Sequence, residues 1–166
     1  MSDDVRWLTD GEQQVWRRFI ALVELLPAAL EGPLQRDAGL TYFSYVVLAM
    51  LSEAPGRTAR MSELATLTNA SLSRTSHVVA RLEKAGWVEP QAAVDDRRAT
   101  DVTLTQAGYD KVVKTAPTHV PSVREMVFDR LTPEQVRNLD DIARTLLESL
   151  PCEGRLTLFT TAQQDR

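Results

Sequence analysis

The chain has 166 residues, 43% hydrophobic and 25% charged, with a formal net charge of −4. That length suits one domain with an appended dimerisation segment, and a chain of this size buries roughly 70% of its unfolded surface, so its core needs no covalent staple. One cysteine excludes an intrachain disulfide framework, and two histidines beside it argue against a zinc site of ordinary Cys/His spacing.

The N-terminal Met1-Ser2-Asp3-Asp4 is acidic, the wrong sign for a signal peptide. The longest apolar stretch, Tyr42 to Leu51, contains Ser44 and falls short of the ~18 residues of a membrane span. The expectation is a soluble, cytoplasmic protein with no membrane partner.

Thr9 and Glu12 have capping-box spacing, which predicts a helix start. Trp16, Phe19, Ile20, Val23 and Leu26 or Leu30 follow as one apolar stripe, with Arg17, Arg18 and Glu24 off it. Pro27 is expected to kink or interrupt this helix, and Gly32-Pro33 to end the first apolar run. Thr41 to Glu53 is apolar around nearly the whole helical axis, the pattern of a buried helix. Tyr42 to Val47 also suits a strand, but Ala49, Met50, Leu51 and the length favour helix. Ala54-Pro55-Gly56 ends it.

Two short helices follow. Met61, Leu64, Ala65 and Leu67 mark the first, and Thr68-Asn69-Ala70 a tight break in which Asn69 suits the left-handed conformation. Ser71 is a good N-cap for the second. Leu72, Ser76, Val79 and Leu82 recur on its predicted inner face, while Ser73, Arg74, His77 and Arg81 fall largely on the other. Gly86 closes it. Trp87-Val88-Glu89 leans to strand, and Asp101 to Leu104 alternates polar and apolar; these form a small β-hairpin with a charged tip from Val94 to Thr100.

Thr105 caps a further helix carrying Val112, Val113 and Ala116, which Pro117 and Pro121 bend or restart near Val123 and Val127. Thr132-Pro133-Glu134-Gln135 is a second capping box, opening a helix whose stripe is Val136, Leu139, Ile142, Ala143, Leu146 and Leu150. Pro151 stops it, and residues 151–166 read as a mobile tail.

The charge is uneven. Arg57 to Lys111 holds 8 basic and 7 acidic residues, whereas the remainder holds 11 and 16. The acidic balance excludes indiscriminate coating of nucleic acid but leaves room for a local basic face, because salt limits distant acids to a range of about 8 Å.

The order helix, helix, turn, helix, hairpin is that of a winged helix-turn-helix. A recognition helix needs short polar and basic side chains near its N-terminal half, the part that enters a major groove. Ser71, Ser73, Arg74, Ser76, His77 and Arg81 supply them. Arg74 has the donors for a guanine edge, and the serines suit phosphate or mixed contacts. Arg97 and Arg98 sit at the hairpin tip, where a guanidinium can enter a narrow minor groove, and Asp95 or Asp96 can orient it as a bidentate partner. Singly, each of these side chains reads as an ordinary solvated residue. Their conjunction points to DNA.

Met61-Ser62-Glu63-Leu64-Ala65, Leu72-Ser73-Arg74, Arg81-Leu82-Glu83-Lys84-Ala85-Gly86-Trp87-Val88-Glu89, Asp95-Asp96-Arg97-Arg98-Ala99 and Leu104-Thr105-Gln106-Ala107-Gly108 together resemble the MarR family of bacterial transcriptional regulators. The resemblance covers essentially the whole chain. It implies a mostly α fold, with a winged helix-turn-helix core at about 38–108 and dimerisation helices at about 7–36 and 109–150. It further implies a homodimer. The reading that follows is a regulator of a double-stranded, pseudo-palindromic operator, a repressor by steric blocking, with activation as the alternative because operator placement decides the sign. Recognition falls to the helix from Ser71 to Ala85, minor-groove contact to Arg98, and its orientation to Asp96. Pro90 is a departure, standing where the family usually has a basic residue at the wing base.

Trp16, Phe19, Leu139, Ile142 and Leu146 need apolar partners. A twofold dimer supplies them and sets two recognition helices one DNA turn, ~34 Å, apart; packing within one chain is the alternative. Relatives in the resembled family release DNA when a small aromatic or anionic effector binds between the dimer region and the winged core. Trp16, Phe43, Tyr45 and His119 are the candidate walls here, with plain packing as the other reading of each.

Cys152 is flanked by Glu148 and Glu153 at a helix end, a field that opposes thiolate formation, so a spectator is expected rather than a redox sensor. There is no Gly-rich phosphate loop, nucleophile turn or metal-ligand spacing, and His77 and His119 lie far apart. Neither an enzyme nor a bound cofactor is expected. A winged-helix module for protein contacts is the competing reading, separable by the salt dependence of DNA binding.

Overall fold

The computed structural model describes residues 5–93, 96 and 98–149. Among them are six α-helices and one small antiparallel sheet. The long first helix, α1 (Asp10–Ala38), starts at the expected capping box. The Glu12 N–H donates to Thr9 Oγ1 at 3.2 Å and the Thr9 N–H donates to Glu12 Oε2 at 2.7 Å. The Thr9 backbone and hydroxyl hold the Glu12 carboxyl below its ordinary pKa.

Pro27 does not interrupt α1, and Gly32-Pro33 does not end it. The helix continues to Gly39, which adopts φ 65° and donates to Gln35 O, while the Lys111 ammonium caps the Ala38 carbonyl at 2.6 Å. The later helix α5 (Gln106–Met126) likewise passes through Pro117 and Pro121 without restarting. The reason is shared. A proline frees the carbonyl four residues back, which here belongs to Val23, Ala29, Val113 and Pro117, all exposed residues. Losing a donor costs least on exposed residues, which remain open to solvent in the single chain, and α1 packs along α2 and α5.

α2 (Tyr42–Glu53) is the buried helix its composition predicts, with Val47, Leu48 and Leu51 fully inaccessible. Thr41 caps it, accepting the Ser44 N–H at 3.1 Å. Gly56 (φ 61°) and Arg57 (φ 55°) then turn the chain into β1 (Thr58–Arg60), a strand that no sequence pattern announced. It pairs antiparallel with β3 (Thr100–Leu104), setting Thr58 opposite Thr103 and Ala59 opposite Val102. β2 (Val88–Ala92) pairs on the other side of β3, so the expected hairpin is part of a three-stranded sheet in the order β1-β3-β2.

α3 (Met61–Leu67) and α4 (Leu72–Lys84) form the helix pair, joined through Asn69 at φ 48°. Ser71 caps α4, accepting the Arg74 N–H at 3.2 Å. The inner face of α4 is rotated from the one expected. Thr75, Val78, Val79 and Leu82 are buried, whereas Ser76 is exposed and Leu72 is 54% exposed. Thr75 tolerates burial because its hydroxyl donates to Ser71 O at 3.1 Å. Gly86, at φ 73°, ends the helix and leads to Val88 in the core.

α6 (Pro133–Ser149) begins at the second capping box, with Gln135 and Thr132 exchanging bonds at 3.2 and 2.9 Å. None of its described residues is buried. Leu139, Ile142 and Leu146 are exposed, as are Trp16, Phe19, Leu22, Val23 and Leu25 on α1. The stripe of α6 and most of the N-terminal half of the α1 stripe are therefore not covered by their own chain, whereas Leu30 and Leu34 at the other end of α1 are buried in it.

Gly108 marks a close backbone approach, where the start of α5 crosses the wing base. A Cβ there would meet the Trp87 carbonyl oxygen at 2.1 Å and Leu104 Cδ1 at 2.7 Å. Gly108→Ala is expected to destabilise by ~3 kcal/mol or more, at or above the upper end of ordinary overpacking. Gly11→Ala, with open space around it on exposed α1, is expected to be neutral or to stabilise by up to about 1 kcal/mol. Urea unfolding of the two variants checks both.

Candidate nucleic-acid interface

α4 is amphipathic, so burying Thr75, Val78, Val79 and Leu82 forces the opposite face into solvent. Ser71, Ser73, Arg74, Ser76, His77 and Arg81 are all exposed, and a shallow cleft runs along Ser71, Ser73, Arg74, His77 and Arg81. Along the helix, Ser73 and His77 project outward between two flanks. Arg74 and Arg81 lie on the flank facing α2. The Arg74 guanidinium sits 4.7 Å from the centroid of the Phe43 ring, and Arg81 Nη2 donates to Ser44 Oγ at 3.4 Å.

The other flank faces the wing, where Leu72, Ser76, Arg60, Arg98 and Thr100 line a groove between α4 and the sheet. Arg60 is paired with Asp101 at 3.4 Å. The wing turn is closed by Ala99 N–H donating to Asp96 O at 2.8 Å and Ala93 N–H to Ala99 O at 3.0 Å. Within it, the Asp96 carboxylate accepts the Arg98 main-chain N–H at 2.9 Å. Asp96 thus shapes the backbone that presents Arg98. Asp95 and Arg97 lie outside the described residues.

The four expected effector-contact residues do not share one pocket. Tyr45 and His119 come together, ring centroids 4.5 Å apart, with Tyr42 at 6.4 Å from His119. Phe43, next in sequence, points instead to Arg74. Trp16 is 53% exposed in the N-terminal half of α1, with its ring 6.3 Å from that of Phe19. His119 Nδ1 is buried without a hydrogen-bond partner among the described residues, and burial pushes the imidazole pKa down. Burial pushes the Tyr45 phenol up, with the Glu53 charge adding to it.

Cys152 falls outside the described residues. Among those described, no group of three or more His, Cys, Asp or Glu is placed to hold a metal ion, and no helix is long and apolar enough to cross a membrane. Sequence reasoning missed Ser44 and the Phe43–Arg74 contact. Both lie in a helix whose apolar composition marks it as core, and no local signal shows which neighbour a core residue touches.

The MarR family profile matches residues 38–99. The chain is similar to a MarR family transcriptional regulator from Streptomyces coelicolor solved in complex with DNA. That likeness has 47% identity, 90% of this chain and 94% of that one covered, and a TM-score of 0.83. It is also similar to AbsC, a MarR family transcriptional regulator of the same organism, at 42% identity over 87% of this chain and 97% of that one, TM-score 0.78. A transcriptional repressor of the helix-turn-helix type from Mycobacterium tuberculosis is 34% identical over 112 residues, 68% of this chain and 76% of the relative. The matched segment spans 63% of the length of the transcriptional repressor MprA of Escherichia coli, at 24% identity.

The buried imidazole gives a pH test. The folded state disfavours the charged His119, so the unfolded chain takes up its proton first as pH falls. Its stabilising contribution is complete above the ordinary imidazole pKa of ~6.5 and is lost as pH falls through the lower folded-state value. NMR titration of the ring is expected to give a midpoint below the ordinary value, and His119→Phe to flatten stability across that pH window. A midpoint at or above ~6.5 would contradict the assignment.

Proposed function

The chain belongs to the MarR family of winged helix-turn-helix transcriptional regulators, and from that we propose that it binds a pseudo-palindromic DNA operator as a homodimer and represses transcription there. The observation that carries this reading is the outer face of α4, where short polar groups and two arginines stand exposed on a helix whose other face is locked into the core. Its N-terminal half enters the major groove. Ser73, Ser76 and His77 lie nearest the base edges, and Arg74 donates to a guanine. Ser71 and Arg81 contribute at the edges of the same face. Arg98, presented by the Asp96 turn, reaches the adjacent minor groove, with Arg97 beside it in sequence. Pro90 on β2 carries no donor for a phosphate.

The exposed apolar faces of α1 and α6 support the dimer, because a single chain leaves them in water. Twofold pairing would cover them and set two copies of α4 about 34 Å apart, one half-site each. Occupying the operator blocks the polymerase sterically. Release by a small aromatic or anionic effector fits the junction of α1, α2 and α5, where Tyr45 and His119 meet. Such a ligand acts only through different affinities for the DNA-competent and DNA-incompetent shapes. The site of action is the cytoplasm.

Fluorescence anisotropy with DNA from upstream of its own gene, at two salt concentrations and with unrelated competitor, tests the core of this reading. Tight, competitor-resistant binding that weakens steeply with salt is expected. Arg98→Ala is expected to lower specific affinity about tenfold with the dimer intact. Light scattering at micromolar concentration is expected to give twice the 18.5 kDa chain mass, and Ile142→Asp to halve it. A monomer mass for the unaltered chain would remove the two-half-site model.

A further inference from the structure

The first turn of α2 lies against the flank of the recognition helix that carries both of its exposed arginines. Phe43 is half-buried and packed against the core, so its ring is fixed in place. The Arg74 guanidinium lies over that ring at 4.7 Å, within the ~6 Å reach of a cation–π contact. One residue on, Ser44 is buried, with its hydroxyl 2.8 Å from Thr41 Oγ1 and its N–H bonded to the same oxygen. That anchored hydroxyl accepts from Arg81 at 3.4 Å. Two consecutive residues of a core helix thus face two arginines about two helical turns apart.

Resting on the DNA-binding reading above, we propose that Phe43 is the positioning residue for Arg74: its ring holds the guanidinium in the orientation that meets a base edge. The physical advantage is preorganisation. A free arginine side chain loses conformational freedom when it is immobilised at an interface, and that loss opposes binding. A guanidinium resting on a fixed aromatic face has surrendered part of that freedom before DNA arrives. The ring also restricts the plane of the guanidinium, which matters because the two parallel donors that pair with guanine O6 and N7 must lie in the plane of the base. Phe43 itself makes no DNA contact in this account.

The experiment takes the full chain and the duplex that it enriches from a randomised double-stranded library. Affinity is measured by anisotropy for that duplex and for its single-base-pair variants. The proteins are wild type, Phe43→Leu, Phe43→Tyr, Arg74→Ala and the Phe43→Leu/Arg74→Ala double variant, each checked for an unchanged melting profile and dimer mass. Phe43→Leu is expected to weaken binding about fivefold and to flatten discrimination at one symmetry-related base pair in each half-site. Phe43→Tyr, which keeps the aromatic face, restores both. The double variant binds no more weakly than Arg74→Ala alone, an outcome that a general loosening of α2 would not give.

Additive losses, or a Phe43→Leu protein with wild-type discrimination, overturn the proposal. Tighter binding by Phe43→Leu overturns it too, because the ring would then be holding the guanidinium back. A wild-type chain that enriches no duplex fails at the earlier step, and the DNA-binding reading falls with the inference. Should Phe43→Leu melt early, Phe43→Met supplies an apolar replacement of closer volume, read by the same coupling with Arg74→Ala.

Discussion

Burial of α2 is the constraint on which the other elements depend. Val47, Leu48 and Leu51 are sealed in the centre of the molecule, and α1, α5 and the wing strand β3 all pack against this one helix. Because an interior is packed as densely as a crystal, the N-terminal edge of α2 has little freedom to shift. That edge presents three consecutive residues to different neighbours: Phe43 to Arg74, Ser44 to Arg81, and Tyr45 to His119. The proposed DNA reader and the imidazole of α5 therefore meet the same turn of helix.

The wing is secured by a second set of contacts around the start of α5. Gly108 permits its backbone to approach Trp87, and the Thr105 hydroxyl donates to Gly86 O at 2.8 Å. Lys111 bonds the end of α1 while its ammonium lies 5.1 Å from the Trp87 ring centroid. Arg57 lies 3.8 Å over the Tyr109 ring and donates to Gln106, tying the entry of β1 to the same helix. These cations are partly spent on architecture. Arg74, although stacked on Phe43, and Arg98 stay exposed, so a chain of net charge −4 still shows arginines on the outer face of α4 and on the wing.

The terminal helices follow a different logic. α6 and the N-terminal half of α1 carry apolar residues that the single chain leaves exposed, and four helix-internal prolines are accommodated in α1 and α5 without ending either helix. Each proline frees the carbonyl of a residue that is exposed in the single chain, where the lost donor costs least.

By itself the sequence determined what depends on neighbours a few residues apart. The capping boxes at Thr9 and Thr132, the left-handed turns at Asn69 and Gly86, the polar outer face of α4 and the hairpin were legible because each is a local hydrogen-bonding or periodicity signal. Tertiary structure decided what depends on distant partners. It carried α1 and α5 through their prolines, recruited β1 by pairing it with β3, and rotated α4 so that Thr75 and Val78 went in while Leu72 stayed out. It also separated Phe43 from Tyr45 and His119, and set it beneath Arg74. Adjacent residues on a helix point about 100° apart, so neighbours in sequence face different partners, and only the packed fold names them.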